Sequence, residues 1–317
     1  MKVLYLLPIL PPKLPQAEAF SQEIEALRQH FQGHLFHLNP NQHLPIRVPR
    51  LLFGFHRWRA LRRYETEVQI HHFYNPDPFA FPILRWLRRP VVYSITGGVG
   101  ERRPNVRFLN TLAAVTVFDE SSLERLQHWG VRNVFCVRTG IDSSRFTYTP
   151  LPFQPPLRLL MASAPWTTAQ FQSKGVDALL AAAQQMPQLH LVFLWRGVLA
   201  DEMVARVRQL QLENQVTVID QLVDVNQVLA TVHASVVLAT EPAIVKAYPH
   251  SLLDSLAAGK PVLVSRAIPM ARDVEKTGCG QVVEQVTPTA FLAALQKLSA
   301  NYANAQRAAQ EIGQRDF

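Results

Sequence analysis

The residues best suited to chemistry lie in one run, Glu241-Pro-Ala-Ile-Val-Lys246-Ala-Tyr-Pro-His250-Ser251-Leu252-Leu-Asp254, which continues as Ser-Leu-Ala-Ala-Gly259-Lys-Pro-Val. The apolar stretch just before it has the character of a buried strand, so the run should begin at the carboxyl end of a sheet. Pro249 suits the first turn of a helix, because the amide hydrogen it lacks would go unbonded there anyway. Gly259 and Pro261 then end that helix. Spacings of three and four residues put Ser251, His250 and Asp254 on one helical face. The first-turn amides of His250, Ser251 and Leu252, together with the helix dipole, form a site for a pyrophosphate. Asp254, one turn deeper, is placed to accept hydrogen bonds from a ribose diol. Anion at the helix end and diol acceptor behind it are the needs of a nucleoside diphosphate.

Further cations and a carboxylate complete the candidate donor site. Lys174, in Ser173-Lys-Gly-Val-Asp, sits at a strand-to-helix junction, where an ammonium stabilises a departing diphosphate. Arg196, in Leu-Trp-Arg-Gly, follows another strand, and Glu241 stands at the strand end ahead of Lys246.

This set resembles the donor-site signature of retaining GT-B glycosyltransferases of family 4, also called glycosyl transferases group 1. That signature has two glutamates eight residues apart, followed by Ala-Met-Ala-x-Gly-x-Pro-Val. Asp254 matches the second acid and Ser-Leu-Ala-Ala-Gly-Lys-Pro-Val the remainder, but Lys246 stands where the first glutamate belongs. Other pieces recur in family order: Val137-Arg-Thr-Gly-Ile-Asp142 with Phe146, the Lys174 segment, Val216-Thr-Val-Ile, and Thr277-Gly-Cys-Gly280. The resemblance spans roughly residues 115–290. It implies a retaining hexosyltransferase that uses a nucleotide-diphosphate sugar without a metal, with Lys174 on the donor diphosphate. It implies a glycolipid, polysaccharide or small molecule as acceptor. The family's Gly-Arg after the preceding strand is replaced by Ala162-Ser-Ala-Pro-Trp166, which has no cation. Lys246 can donate to sugar hydroxyls or neutralise a phosphate, but it cannot accept. We therefore take Lys174 and Lys246 as the catalytic candidates. A non-catalytic relative that binds nucleotide sugar or acceptor and supports a partner is the alternative.

The acceptor side falls to the N-terminal half. Thr96-Gly97-Gly98-Val-Gly100 follows a strand and lets backbone approach a ligand closely. It lacks the spacing of a dinucleotide fingerprint. Thr96 stands where many family members carry a histidine. His71 and His72, adjacent and so on opposite strand faces, are further candidates.

The elements that must position these groups alternate strand and helix throughout. Strands are expected at 3–10, 34–38, 68–73, 91–95, 112–118 and 134–137, then at 157–162, 190–194, 216–219, 235–239 and 261–265. Helices are expected at 17–31, 51–64, 79–89, 121–130, 175–186, 201–212, 226–232, 250–258 and near 289–300. Such alternation predicts parallel sheets covered on both faces. The 317-residue length suggests two domains, and four prolines in 147–156 mark the connector. The expected fold is α/β, with two doubly wound Rossmann-like lobes facing across a cleft, divided as 1–150 and 151–317.

Composition bounds the remainder. An apolar fraction of 48% with 18% charged residues is that of a globular chain, and no apolar stretch is long enough for a membrane span. The N-terminal apolar run reads as a first strand rather than a signal peptide. Two distant cysteines suggest no disulfide, and a cytoplasmic setting fits. No Asp-x-Asp and no histidine cluster offers a metal site. Twelve arginines against four acids between Arg47 and Arg107 hold the whole net charge of +8. This patch suits an anionic partner, whether phospholipid headgroups, a lipid-linked phosphate or an acidic glycan, or else is a solvated basic face. The arginine-aromatic alternation of 51–64 suits either an anionic membrane surface or ordinary helix packing. The patch lacks the patterning of a nucleic-acid site.

Overall fold

A computed structural model describes residues 1–11, 19–41, 47–195 and 199–315. The chain forms two compact units, Met1–Arg138 and Thr139–Phe317. In the first, six parallel strands run in the order β2-β1-β3-β4-β5-β6. They are β1 (Val3–Leu7), β2 (Gly33–His37), β3 (Ile70–Asn75), β4 (Val91–Ile95), β5 (Ala114–Val117) and β6 (Val134–Cys136). β1 is buried at every position, as an apolar run covered on both faces must be. Leu4 and Leu6 join the cluster of Phe73, Tyr93 and Ile95 on one face. Val3, Tyr5 and Leu7 meet Ile24 and Tyr74 on the other.

The second unit has strands β7 (Leu157–Met161), β8 (Leu189–Leu194), β9 (Val216–Ile219), β10 (Ala234–Val237), β11 (Val262–Ser265) and β12 (Gly280–Val283). Their order is β12-β11-β10-β7-β8-β9, all parallel. This is the doubly wound order in which chain direction across the sheet reverses between the first and fourth strands, β7 and β10. Ligands of such sheets bind at the carboxyl ends beside that switch point.

Contacts divide at Arg138/Thr139, earlier than the expected boundary at 150. Residues 139–149 are fastened to the second unit. Thr147 N donates to Asn226 Oδ1 at 3.0 Å, and the buried Lys260 amine donates to the Thr149 carbonyl. A Cβ on Gly259 would come within 2.2 Å of the Tyr148 ring, so the bare glycine seats that tyrosine.

Several elements differ from expectation. Residues 51–64 are not one helix but two 3-10 turns, Arg50–Leu52 and Phe55–Arg57, followed by the helix Trp58–Glu65. Gly54, at φ +87°, breaks the periodicity, and a Cβ there would meet Leu38 and Ile83. In place of a helix over 79–89 there is a 3-10 segment, Pro82–Trp86. β3 runs to Asn75 because the Asn75 carbonyl still accepts the Thr96 amide at 2.9 Å. Strand β12 and the helices Ala271–Thr277 and Tyr302–Arg315 were not foreseen at all.

Candidate functional site

The switch point of the second unit is built around Lys174. The helix Gln170–Ser173 ends on it, and its side chain is only 5% exposed. Lys174 Nζ donates to the carbonyl of Ala164 at 3.0 Å, within the loop that leaves β7. One residue earlier, the Ser173 carbonyl accepts the Thr240 amide at 2.9 Å, at the start of the loop that leaves β10. The ammonium is thus tied to one switch-point strand by its side chain and to the other through its neighbour's backbone.

Gly175 makes this placement fit. It has φ +73°, and a Cβ would lie 2.7 Å from both Cβ and Cδ1 of Leu238 and 3.0 Å from Val286 Cγ1. The helix Val176–Gln185 begins immediately after it. Outside this turn, Arg206 bonds Asp177 at 2.7 Å and Glu202 at 3.0 Å. Its guanidinium lies 4.1 Å from the Phe171 ring centre, and Phe171 packs against Trp195. The lysine therefore stands on a closed framework of side chains.

The loop after β10 carries Glu241, which is exposed, and Lys246, which is half-buried. It returns to the helix His250–Ala257, whose N-cap is Pro249. Pro249 thus precedes the first turn instead of occupying it. Its carbonyl accepts both the Leu252 amide, at 2.9 Å, and the Leu253 amide, at 3.2 Å. Leu252, expected to offer its amide to the phosphates, spends it in this tight first turn and buries its side chain completely. His250 is buried, with Nε2 3.2 Å from the hydroxyl of Thr139. Ser251 and Asp254 are half-buried on the helix. Arg196 lies outside the described residues.

Two buried polar groups hold these loops. Ser265 Oγ, at the end of β11, accepts the Ala239 amide at 2.8 Å and donates to the Ala239 carbonyl at 2.9 Å. That clasp sets where the loop leaves β10. Lys260 is completely buried, and burial pushes its amine down to about 8. Its position between Gly259 and Pro261, directly ahead of an apolar strand, was the only available sign that this lysine faces inward.

In the first unit, the carboxyl end of β4 carries Thr96, Gly97 and Gly98, all buried. The Thr96 and Gly97 amides bond to the carbonyls of Asn75 and Pro76 at 2.9 and 3.0 Å. Close by, Arg50 holds Asp77 through two bonds of 2.8 and 3.0 Å and reaches Asn75 Oδ1 at 3.2 Å.

His71 and His72 lie elsewhere. Because β3 extends two residues further than expected, His71 stands at its amino end and His72 in its amino half. His71 is fully buried, with Nε2 3.2 Å from Glu65. Glu65 also accepts from Arg62 at 2.6 Å and from the amides of Arg88 and Arg89. Burial alone would raise that carboxyl, but these donors hold it down at about 2. His72 bonds Ser94 Oγ at 2.8 Å, and burial lowers its pKa to about 4. His71 ties β3 to the helix Trp58–Glu65 and His72 ties β3 to β4, away from the carboxyl end where ligands of such sheets bind.

Among the described residues, no three His, Cys, Asp or Glu side chains converge as metal ligands would. No described helix is long and apolar enough to cross a membrane.

Residues 168–315 match the family described as glycosyl transferases group 1. Among solved structures, sucrose-phosphate synthase from Thermosynechococcus elongatus is similar to this chain. It has a TM-score of 0.72 at 16% identity, over 99% of this chain and 94% of that one. HepE of Anabaena, solved in complex with UDP-glucose, has a TM-score of 0.69 at 16% identity, covering 100% and 95%. A glycosyltransferase from Rickettsia africae has a TM-score of 0.66 at 12% identity, covering 100% and 94%. No match was found among curated protein sequences. The fold of this chain is that of the GT-B glycosyltransferases, two parallel six-stranded α/β units.

Proposed function

We propose that this protein is a retaining glycosyltransferase that moves a hexose from a nucleoside-diphosphate sugar, held on the second unit, to an acceptor held by the first. The observation that carries this is the near-buried Lys174, tied to the loops of both switch-point strands. An ammonium fixed there meets the diphosphate where doubly wound sheets bind ligands. The N-terminal pole of His250–Ala257 adds positive potential, and Asp254, one turn in, accepts from the ribose hydroxyls. The complex of HepE with UDP-glucose supports the donor class.

In the transfer, the bond between the anomeric carbon and the diphosphate oxygen breaks, and its electron pair stays with the diphosphate. The acceptor oxygen bonds the anomeric carbon, and its proton passes to the departing diphosphate oxygen. Lys174 and the helix pole offset the charge that develops on the leaving oxygen, so turnover without a divalent cation belongs to the proposal. Lys246 donates to the sugar or its phosphate. The acceptor is a glycan, a glycolipid or a small molecule that meets Thr96-Gly97-Gly98.

Calorimetric titration with UDP, GDP and ADP tests the donor site, and binding of none of them would refute it. Anomeric NMR of the product, with and without EDTA, tests retention and metal independence. Lys246, standing where the resemblance places a glutamate, favours one second reading: donor binding without transfer. Tight nucleotide binding with no sugar transferred or released across a panel of nucleotide sugars would establish it.

A further inference from the structure

The first unit exposes a set of large apolar side chains that its core does not use. Trp86 is 61% exposed, and Leu51 and Leu52 are each 53% exposed. They come from two 3-10 turns that pack on each other, Arg50–Leu52 and Pro82–Trp86. Arg50 fixes the first turn through its paired bonds to Asp77 and its stacking on Phe79, 4.4 Å from the ring centre. Trp86 stands edge-on to Phe55 and Trp58, at 6.2 and 6.1 Å between ring centres. Those two rings pack on the core beneath it. The result is a rigid apolar wedge with an aromatic base.

The surroundings of the wedge are predominantly basic. Residues 47–63 and 82–90 contain no acidic residue. Arg57, Arg59, Arg63, Arg85, Arg88 and Arg89 are all exposed. The carboxylates beside the wedge are already paired: Asp77 is held by Arg50, and the buried Glu65 by Arg62 and by backbone amides. Arg62 lies 4.4 Å over the Trp58 ring and Arg57 lies 4.2 Å over Phe36. These stackings hold guanidinium groups against aromatic rings.

We infer that this face docks on an anionic phospholipid surface, with Leu51, Leu52 and Trp86 entering the interface and the arginine collar bonding headgroup phosphates. An amphipathic helix over 51–64 would insert Phe53, but here Phe53 is buried in the core. The wedge instead draws Trp86 from a separate segment. A soluble polyanion could engage the arginines, but it gives no purpose to three exposed apolar side chains among them. Basic charge and apolar tip together match a bilayer interface. The inference is independent of the donor site, which lies on the other unit.

Flotation of the full chain with vesicles tests it, using phosphatidylglycerol mixed with phosphatidylcholine against phosphatidylcholine alone. The wild type should partition onto the anionic vesicles and not onto the neutral ones. Arg59→Ala with Arg63→Ala should weaken partitioning about 25-fold, from roughly fivefold per basic residue. Trp86→Ala should weaken it about tenfold, from the apolar area withdrawn from the interface. All these side chains are exposed, so thermal midpoints should match the wild type and confirm folding. Failure to bind anionic vesicles, or equal binding to neutral ones, overturns the inference. So does full binding by Trp86→Ala while the arginine variant loses it, since charge alone would then suffice and a soluble polyanion would be the better partner. Nucleotide binding is measured in the same preparations, so loss of either site is visible separately.

Discussion

Gly175→Ala should destabilise the second unit well beyond what its backbone angle alone would cost. The perturbation adds one methyl group at φ +73°. An L side chain in the left-handed region costs about 1–2 kcal/mol. The new Cβ would also lie 2.7 Å from two atoms of Leu238, where carbon atoms normally rest about 3.5–4.0 Å apart. Leu238 is completely buried, and one of the two atoms is its own Cβ, so relief requires backbone movement. Overpacking of this kind costs about 1–3 kcal/mol, for a total of about 2–5 kcal/mol. Gly278→Ala supplies the control. Gly278 has nearly the same angle, φ +72°, ends the helix Ala271–Thr277, and has nothing within 4 Å of the added atom. The gain from a less flexible unfolded chain is common to both variants and cancels. Urea unfolding should therefore place Gly175→Ala about 1–3 kcal/mol below Gly278→Ala. The displaced turn carries Lys174, so nucleoside-diphosphate affinity should also fall in Gly175→Ala, at temperatures where it remains folded. Equal stability losses in the two variants would refute the contact with Leu238 as the reason for this glycine.

Lys174→Ala should lower affinity for a nucleoside diphosphate by roughly 10- to 150-fold, the worth of one charge-assisted bond of about 1.5–3 kcal/mol, while leaving nucleoside affinity unchanged in the same titration. His72, depressed to about 4 from the usual 6.5, binds its proton more readily in the unfolded chain. Its contribution is complete above pH 6.5 and lost as pH falls toward 4, so His72→Gln should flatten the pH dependence of the urea midpoint over that window. Glu65, held at about 2, adds a second loss only between pH 4.5 and 2. Lys260 is depressed to about 8 from 10.5, so its burial penalises the folded state below pH 8 and the penalty fades up to pH 10.5. Lys260→Met should abolish that alkaline rise in stability, and at pH 7 it should cost or gain no more than about 1 kcal/mol, because the lost bond to Thr149 offsets the relieved desolvation.

Much of this architecture was legible because its central strands, such as β1, β7, β10 and β11, are largely apolar runs buried on both faces. VLYLL is apolar at every position, and eleven of the twelve strands among the described residues are legible in the chain, with β3 shifted by two residues. β12 was missed because Gly280-Gln-Val-Val is short and half polar. The arginine-rich stretch misled for a different reason. Trp58, Leu61 and Arg62 keep helical spacing, but Gly54 at a positive angle interrupts it, and only the fold shows that Leu38 and Ile83 crowd that glycine. Pairings across long separations were equally hidden. Nothing in the chain links Glu65 to the amides of Arg88 and Arg89, or Lys260 to the carbonyl of Thr149. Those contacts give His71 and Lys260 structural roles.

The same contacts sharpen the role of Lys246. Lys174 is placed by its own bond to Ala164 and by its neighbour's bond to Thr240, while Lys246 sits on the loop that begins at Thr240 and ends at the Pro249 cap. That loop is fixed at one end by the Ser265 clasp on Ala239 and at the other by the turn on Pro249. Its middle, from Glu241 to Lys246, is the exposed or half-buried part. A diphosphate contact depends on rigid placement, which Lys174 has. Lys246 lies between the 3-10 turn Pro242–Ile244 and Ala247, whose carbonyl accepts the Met270 amide at 3.2 Å, so its loop has backbone anchors of its own. We propose that Lys174 governs whether any nucleoside diphosphate binds and that Lys246, farther along the loop, governs which sugar is accepted.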